Sequence, residues 1–199
     1  MDFDHVVRRR RMVRNFEPRP LDGDVLERIL AVARRGPAAG NAQGLDLLVL
    51  EGPDQTSRYW DVTLPPDRRG TFRWPGLLRA PVLIVPCVRP GAYVDRYGEP
   101  DKAATGLGRQ ADDWGVPYWH VDAGMAAMLV LLAAVDEGLG ALFFGIFQNE
   151  PAVRAAFGIP DDRQPIGTIA IGHPAPDEPG RSAARPRREA HEVIHRGHW

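Results

Sequence analysis

The 199-residue chain carries 25 basic and 26 acidic residues, so its formal net charge is −1. Binding to nucleic acid neutralises phosphates and needs a basic excess, so this balance argues against a nucleic-acid partner. The single cysteine, Cys87, excludes an internal disulfide and favours a reducing cytoplasm, and the length favours one domain spanning residues 1–199.

The N-terminal segment, residues 2–16, is predicted to form a short amphipathic helix that ends in arginines. It is charged and lacks an apolar signal core, so export is not expected. Four consecutive arginines, Arg8 to Arg11, are followed by Arg14, and packing gains nothing from them. A solvated face is the ordinary interpretation of such a charge run. Because the arginines adjoin apolar residues, a site for a phosphate dianion is the competing interpretation.

A second helix is predicted from about Asp24 to Arg35, capped by Asp22 and followed by the turn Pro37–Gly44. The small residues of this turn would let a planar ligand approach the backbone, and Asn41 and Gln43 offer amides that both donate and accept. An ordinary turn between helix and strand is the alternative. A strand, residues 45–50, is predicted next.

The middle of the chain is predicted to hold one buried strand between two irregular regions. Residues 51–80 are predicted to be rich in loops, and the continuous apolar run at residues 80–88 predicts a buried central strand. Residues 89–118 are polar and rich in glycine. A long segment of this kind is usually a functional lid or a disordered loop, and its aromatic residues favour a cover over a substrate.

The segment Val121–Gly138 is predicted to be the central helix, since it has no polar residue between Met125 and Val135. It is judged too short to span a membrane. One small domain rarely wraps such a helix completely, so the sequence predicts that the helix lies at a dimer interface. A central helix in a monomer is the alternative.

After this helix, the sequence predicts a strand at residues 140–147, a helix at residues 149–157 and a strand at residues 165–174. The tail, residues 175–199, is rich in proline and arginine and cannot form a core. It is interpreted as disordered or, because it ends in Trp199, as an arm laid across a neighbour. His191 to His195 match the zinc-protease pattern H-E-x-x-H, but no distant third ligand is present. A metal site is therefore not proposed.

Three features in order resemble the nitroreductase-like family of FMN-dependent oxidoreductases: the arginine-rich opening, the turn PAAGNAQ and the apolar helix ending in EGLGA. The ending EVIHRGHW is also similar to this family. The resemblance implies an α+β fold with a central mixed β-sheet flanked by helices. It also implies an intertwined homodimer with a C-terminal arm and two FMN sites at the interface.

The resemblance assigns cofactor-binding roles near the N-terminus. It implies that Arg10, with Arg11 beside it, binds the FMN phosphate, and that Arg14 lies near flavin N1 and O2. Met12 stands where the family usually has a serine, so one hydroxyl contact is lost.

The turn, which a partner subunit usually provides, matches the family at Pro37, Ala38, Ala39, Asn41 and Gln43. Both serine positions are alanine here, which leaves their contacts to the backbone. The resemblance also implies that the backbone of Gly145 and Ile146 approaches flavin N5. Arg185 and Arg187 would bind the phosphate, with Arg188 as a possible substitute.

The resemblance implies an enzyme that passes hydride from NAD(P)H through the flavin to an electron-poor acceptor such as a nitroaromatic or a quinone. The cofactor carries this chemistry, so no catalytic side chain is predicted. Two alternatives stay open. One is a specialised flavoenzyme that acts on one metabolite, and the other is a flavin-binding protein without turnover.

Overall fold

The computed structural model describes residues 2–178 and 180–199. The helices of this part are α1 Phe3–Arg9, α2 Gly23–Ala33, α3 Gly52–Thr63, α4 Pro66–Arg69, α5 Pro90–Tyr97, α6 Tyr118–Asp136, α7 Glu150–Phe157 and α8 Ala190–Val193. The strands are β1 Leu45–Glu51, β2 Val82–Val88, β3 Gly140–Phe144, β4 Gln164–Pro165 and β5 Thr168–Gly172.

The strands form one sheet in the order β1-β2-β5-β3, and β4 pairs with the end of β2. Every residue of β2 is buried, which confirms the predicted central strand. All four ladders between these strands are antiparallel. The resemblance implied a mixed sheet, which contains both parallel and antiparallel pairs. Among the described residues, parallel pairing is limited to an isolated bridge between Met12 and Ala141.

Helices cover both faces of the sheet. The side chains of a strand alternate between these two faces, so neighbouring residues of β2 contact different helices. Leu83 and Val85 of β2 point to a core shared with α3 and α7, whereas Val82 and Ile84 point to a core shared with α2 and α6. The predicted helix cap is confirmed at α2, where the Asp22 side chain accepts from an N–H in the first turn.

Helix α6 is the predicted central helix, and Gly138 follows it in the left-handed conformation with φ +76°. The helix packs against α2, β2 and β3. It has the length and composition of a membrane span, contrary to the judgement from sequence, and 44% of that stretch is buried within the domain. One face stays open: Met125 is 43% and Met128 is 46% exposed.

The N-terminal segment differs from the prediction, because its helix ends at Arg9 and residues 10–16 run extended. The Val13 N–H donates to the Ala141 carbonyl over 3.0 Å, and the Glu17 N–H donates to the His173 carbonyl over 2.9 Å. Hydrogen bonds to β3 and to His173, the residue after β5, therefore outweigh the helical propensity of the arginines. They place the first arginines beside the last part of the chain.

The two segments predicted to be irregular contain helices. Residues 52–63 form α3, where Pro53 occupies the first turn and needs no N–H partner, so it starts the helix instead of breaking it. Residues 90–97 form α5, whose Tyr93 packs edge-to-face against Trp114 and Trp119. These three rings are buried in their own cluster. The expected cover over a substrate remains a prediction, whereas the packing of this segment is that of a small core.

The tail contains two short helical elements, Arg181–Ala184 and α8, and its side chains from residue 183 onwards are exposed. Its Glu192 belongs to a reciprocal capping box with Glu189, and His195 stacks on Trp199 with 4.3 Å between ring centroids. The described residues hold no group of three or more metal-ligating side chains. The role of the tail as an arm across a neighbour remains a prediction.

Candidate functional site

A cleft of about 530 Å³ lies where the two ends of the chain meet. We name it the arginine cleft and define it by its lining residues, which are Arg10, Arg11, Met12, Arg14, Asp177, Gly180, Ala183, Arg185 and Arg187. The structure thus gathers all six predicted site residues from the N-terminal segment and the tail around one space. These lining residues include five guanidinium groups and one carboxylate, so the cleft carries an excess of positive charge and suits an anion.

The N-terminal side of the arginine cleft is held by the backbone. The bridge to Ala141 fixes Met12, and the Arg14 N–H donates to Asp177 Oδ2 over 2.7 Å. The Arg14 guanidinium donates to the Met12 carbonyl over 3.2 Å and lies 5.2 Å from the ring centre of Trp74. Arg14 is thereby held in one orientation at the edge of the cleft.

The sequence interpretation missed Asp177, although it fixes the backbone of Arg14. No local pattern marks this acid, because the contact joins residues 163 positions apart. Arg188, the possible substitute for the predicted tail arginines, does not line the cleft. Its guanidinium donates to the Glu192 carbonyl within the tail.

The predicted turn lies at a second cavity, of about 260 Å³, which shares no lining residue with the arginine cleft. Its lining includes the predicted residues Pro37, Ala38, Asn41 and Gln43, whereas Ala39 lies beside the cavity. The amide side chains of Asn41 and Gln43 are exposed to solvent. Within one chain, the predicted residues of the turn are therefore separate from those of the arginine cleft.

Asp122 and Tyr93 also line the turn cavity, and the sequence interpretation missed both in this role. Asp122 lies near the start of α6, where it is buried, and its carboxylate accepts from the Ala39 N–H of the turn. A lone acid at the start of an apolar helix was the available signal. Burial and the hydrogen bond to Asp122 raise the pKa of the Tyr93 hydroxyl, so Tyr93 stays a neutral donor.

Gly145 and Ile146 follow the end of β3 and line neither cavity. Ile146 is buried in the core, and the Phe147 ring lies against Gly145 so closely that a Cβ there would be 2.5 Å from it. Phe147 itself has φ +49° and is 81% exposed. The Phe147 ring therefore lies over residue 145 at the strand end, and a side chain at that position would push this exposed ring aside.

Cys87 is buried in β2, and desolvation raises the pKa of its thiol to about 11. A thiol with this pKa is almost entirely protonated near neutral pH and is a poor nucleophile. The structure thus gives Cys87 a packing role within the apolar strand β2.

A model of the Nitroreductase family matches residues 7–173. An NADPH-dependent oxidoreductase of Staphylococcus aureus (strain MRSA252) is 28% identical over 198 residues, which cover 96% of this chain and 73% of that protein. A solved nitroreductase family protein from Clostridium difficile 630 has a TM-score of 0.70 at 21% identity, and the match covers 100% of both chains. The NADPH:FMN oxidoreductase from Vibrio harveyi, solved with NAD+, has a TM-score of 0.70 at 18% identity, covering 98% of this chain and 77% of that one. The predicted α+β fold class is thereby confirmed.

Proposed function

Because the chain belongs to the nitroreductase family, we propose that it is an FMN-dependent oxidoreductase that passes hydride from NAD(P)H to an electron-poor acceptor such as a nitroaromatic or a quinone. The observation that carries this proposal is the arginine cleft, where guanidinium groups from both ends of the chain surround one space. The relatives support the coarser assignment, an NAD(P)H oxidoreductase of the flavin type.

The donor set of the arginine cleft fits the phosphate of FMN. A phosphate monoester is a dianion at neutral pH, and guanidinium forks match its oxygens with paired hydrogen bonds. Arg10 and Arg11 would bind it from one side, and Arg185 and Arg187 from the other. The exposed tail arginines can adjust to the ligand, whereas the extended backbone near Met12 fixes the N-terminal pair.

When bound, the flavin supplies the hydride transfer, and the side chains of this chain bind and orient it. Arg14 is a fixed cation suited to stabilise negative charge that develops on a reduced ring system. The backbone of Gly145 and Ile146, at the end of β3, would supply a donor contact once the exposed Phe147 ring moves off Gly145. We assign no acid or base among the side chains.

We propose that the second half of the site comes from a partner subunit in a homodimer. Two observations support this: the turn cavity and the arginine cleft are separate within one chain, and α6 has an open apolar face at Met125 and Met128. Phe3 and Val7 of the adjoining helix α1 are also exposed, so the apolar surface extends beyond α6. A second copy would cover this surface and bring Asn41 and Gln43 to the neighbouring flavin.

The test is to purify the protein, incubate it with FMN, remove free ligand and record its absorption without oxygen. We expect a yellow complex that NADPH or NADH bleaches and that a quinone or a nitroaromatic reoxidises. A yellow complex that neither nicotinamide reduces would support a flavin-binding protein or a specialised enzyme instead. Protein that stays colourless with excess FMN would contradict the proposed cofactor.

A further inference from the structure

The turn that carries Asn41 and Gln43 has an unusual backbone. Gly40, Asn41 and Gln43 have φ angles of +59°, +56° and +51°. Residues with side chains rarely adopt this left-handed region, and asparagine tolerates it better than glutamine does. A turn with two such residues persists only if its surroundings hold it in place.

Asp122 holds the turn from the side of α6. The residue is 7% exposed, and its Oδ2 atom accepts from the Ala39 N–H over 2.8 Å and from the Tyr93 hydroxyl over 2.8 Å. A buried carboxylate is costly unless hydrogen bonds satisfy it, so these two donors account for its position. The contact joins the turn, α5 and α6 at one oxygen atom.

Arg96 holds the turn from the side of α5. Its Nε–H donates to the Gly40 carbonyl over 2.8 Å, and its two terminal nitrogens donate to the two oxygens of Asp101, each over 2.8 Å. This paired contact fixes the orientation of the guanidinium plane. The Tyr97 ring lies over Gly40, where a Cβ would come within 2.7 Å of it. The turn is thus held at the Ala39 N–H by α6 and at the Gly40 carbonyl by α5.

We propose that Asp122 and Arg96 are positioning residues that keep the turn in its left-handed conformation before a ligand arrives, so that Asn41 and Gln43 are already placed to meet it. This inference rests on the proposed function, in which the turn completes a flavin site. It gives residues 90–119 a definite task, because α5 and the loop after it supply Tyr93, Arg96 and Asp101. Binding to a turn that is already ordered avoids the entropy cost of ordering it.

The first experiment uses hydrogen exchange and needs no ligand. The Ala39, Asn41 and Ala42 amides are all bonded in the structure, so the turn should exchange slowly. Asp122→Ala removes the acceptor for Ala39 and should speed exchange in peptides covering residues 38–43, while peptides from β2 stay protected. Unchanged exchange in the turn would overturn the inference, whatever the protein binds.

Two further variants keep the test decisive. Asp122→Asn can present its amide oxygen to both donors, since both bonds end on one atom, and it should restore protection relative to alanine. Asp101→Ala removes the paired contact of Arg96 at an exposed position and leaves its 3.1 Å bond to Glu99, so the fold survives and exchange in the turn rises. The matched control is Asp95→Ala, an exposed acid of α5, the helix that carries Arg96, and it should leave exchange in the turn unchanged.

The second experiment measures FMN affinity by fluorescence titration. If the competent turn falls to a tenth of the population, the apparent affinity falls about tenfold. Asp122→Ala should therefore weaken FMN by about tenfold or more, and Asp122→Asn should recover most of this loss. Faster exchange with unchanged FMN affinity would show that the turn lies outside the binding site and would overturn the positioning role. Failure of the unaltered protein to bind FMN would instead contradict the proposed function, while the exchange data would still decide whether these residues hold the turn.

Discussion

Replacement of Arg10 by alanine should weaken binding of FMN without weakening binding of riboflavin, which lacks the phosphate. Arg10 is half-buried and lines the arginine cleft on its fixed, N-terminal side. A hydrogen bond between charged groups contributes about 1.5–3 kcal/mol, so its loss should weaken FMN by roughly tenfold to a hundredfold. Arg187 is exposed and its charge is screened by solvent, so the alanine variant there should lose about fivefold or less.

The assay is quenching of flavin fluorescence by flavin-free protein at fixed ionic strength. Titration of both ligands into both proteins forms a cycle that separates the guanidinium–phosphate interaction from changes in the rest of the site. Arg68→Ala, an exposed arginine outside the cleft, is the matched control and should change neither affinity. Equal losses for FMN and riboflavin, or no loss for FMN, would refute the assignment of Arg10 to the phosphate.

Four other outcomes are expected. Arg14→Ala should make the two-electron potential of bound FMN more negative by about 30–60 mV, measured against a redox dye, and an unchanged potential would remove Arg14 from the flavin ring. Met128→Glu places a charge on the open face of α6, so sedimentation should show monomers where the unaltered protein shows dimers; an unchanged dimer would exclude this face from the interface. Tyr59→Phe leaves the buried Thr168 hydroxyl without its 2.7 Å partner and should lower the free energy of unfolding by about 1–3 kcal/mol in urea. Burial raises the pKa of Cys87 from 9.0 to about 11, so native protein at pH 9 should react with iodoacetamide far more slowly than protein in urea. The thiol ionises at a lower pH in the unfolded chain than in the folded protein. The contribution of the buried, protonated thiol to the free energy of unfolding is therefore complete below pH 9 and is lost as the pH rises through 11. Equal alkylation rates of native and unfolded protein would contradict the raised pKa.

The parts of the fold that the sequence predicted are those set by local patterns. The apolar run of β2 and the helix α6 need only composition and length to be recognised, and Asp22 carries an ordinary helix cap. Helix α3 lies in the segment that the sequence predicted to be rich in loops, and the prediction did not use Pro53, although proline in a first turn favours a helix.

The resemblance named the residues of the candidate site and implied that arginines from both ends of the chain meet at one phosphate, but it did not predict the contacts that bring them together. The motif residues were named from the resemblance, yet nothing local shows that Arg10 and Arg187 share a cleft. That proximity depends on hydrogen bonds between residues near Glu17 and residues near His173. The role of Asp122 was missed for the same reason, since its donors lie on two other elements.

The hydrogen bond from Glu17 to His173 and the bond from Ala175 to Asn15 tie the start of the domain to its end. An anion bound between the two sets of arginines would add a further link between these two ends. Thermal fraying of either terminus would separate the two ends while the sheet stayed folded. Release of the bound anion therefore reports on separation of the chain ends. On heating, the anion should be released at a lower temperature than that at which the sheet unfolds.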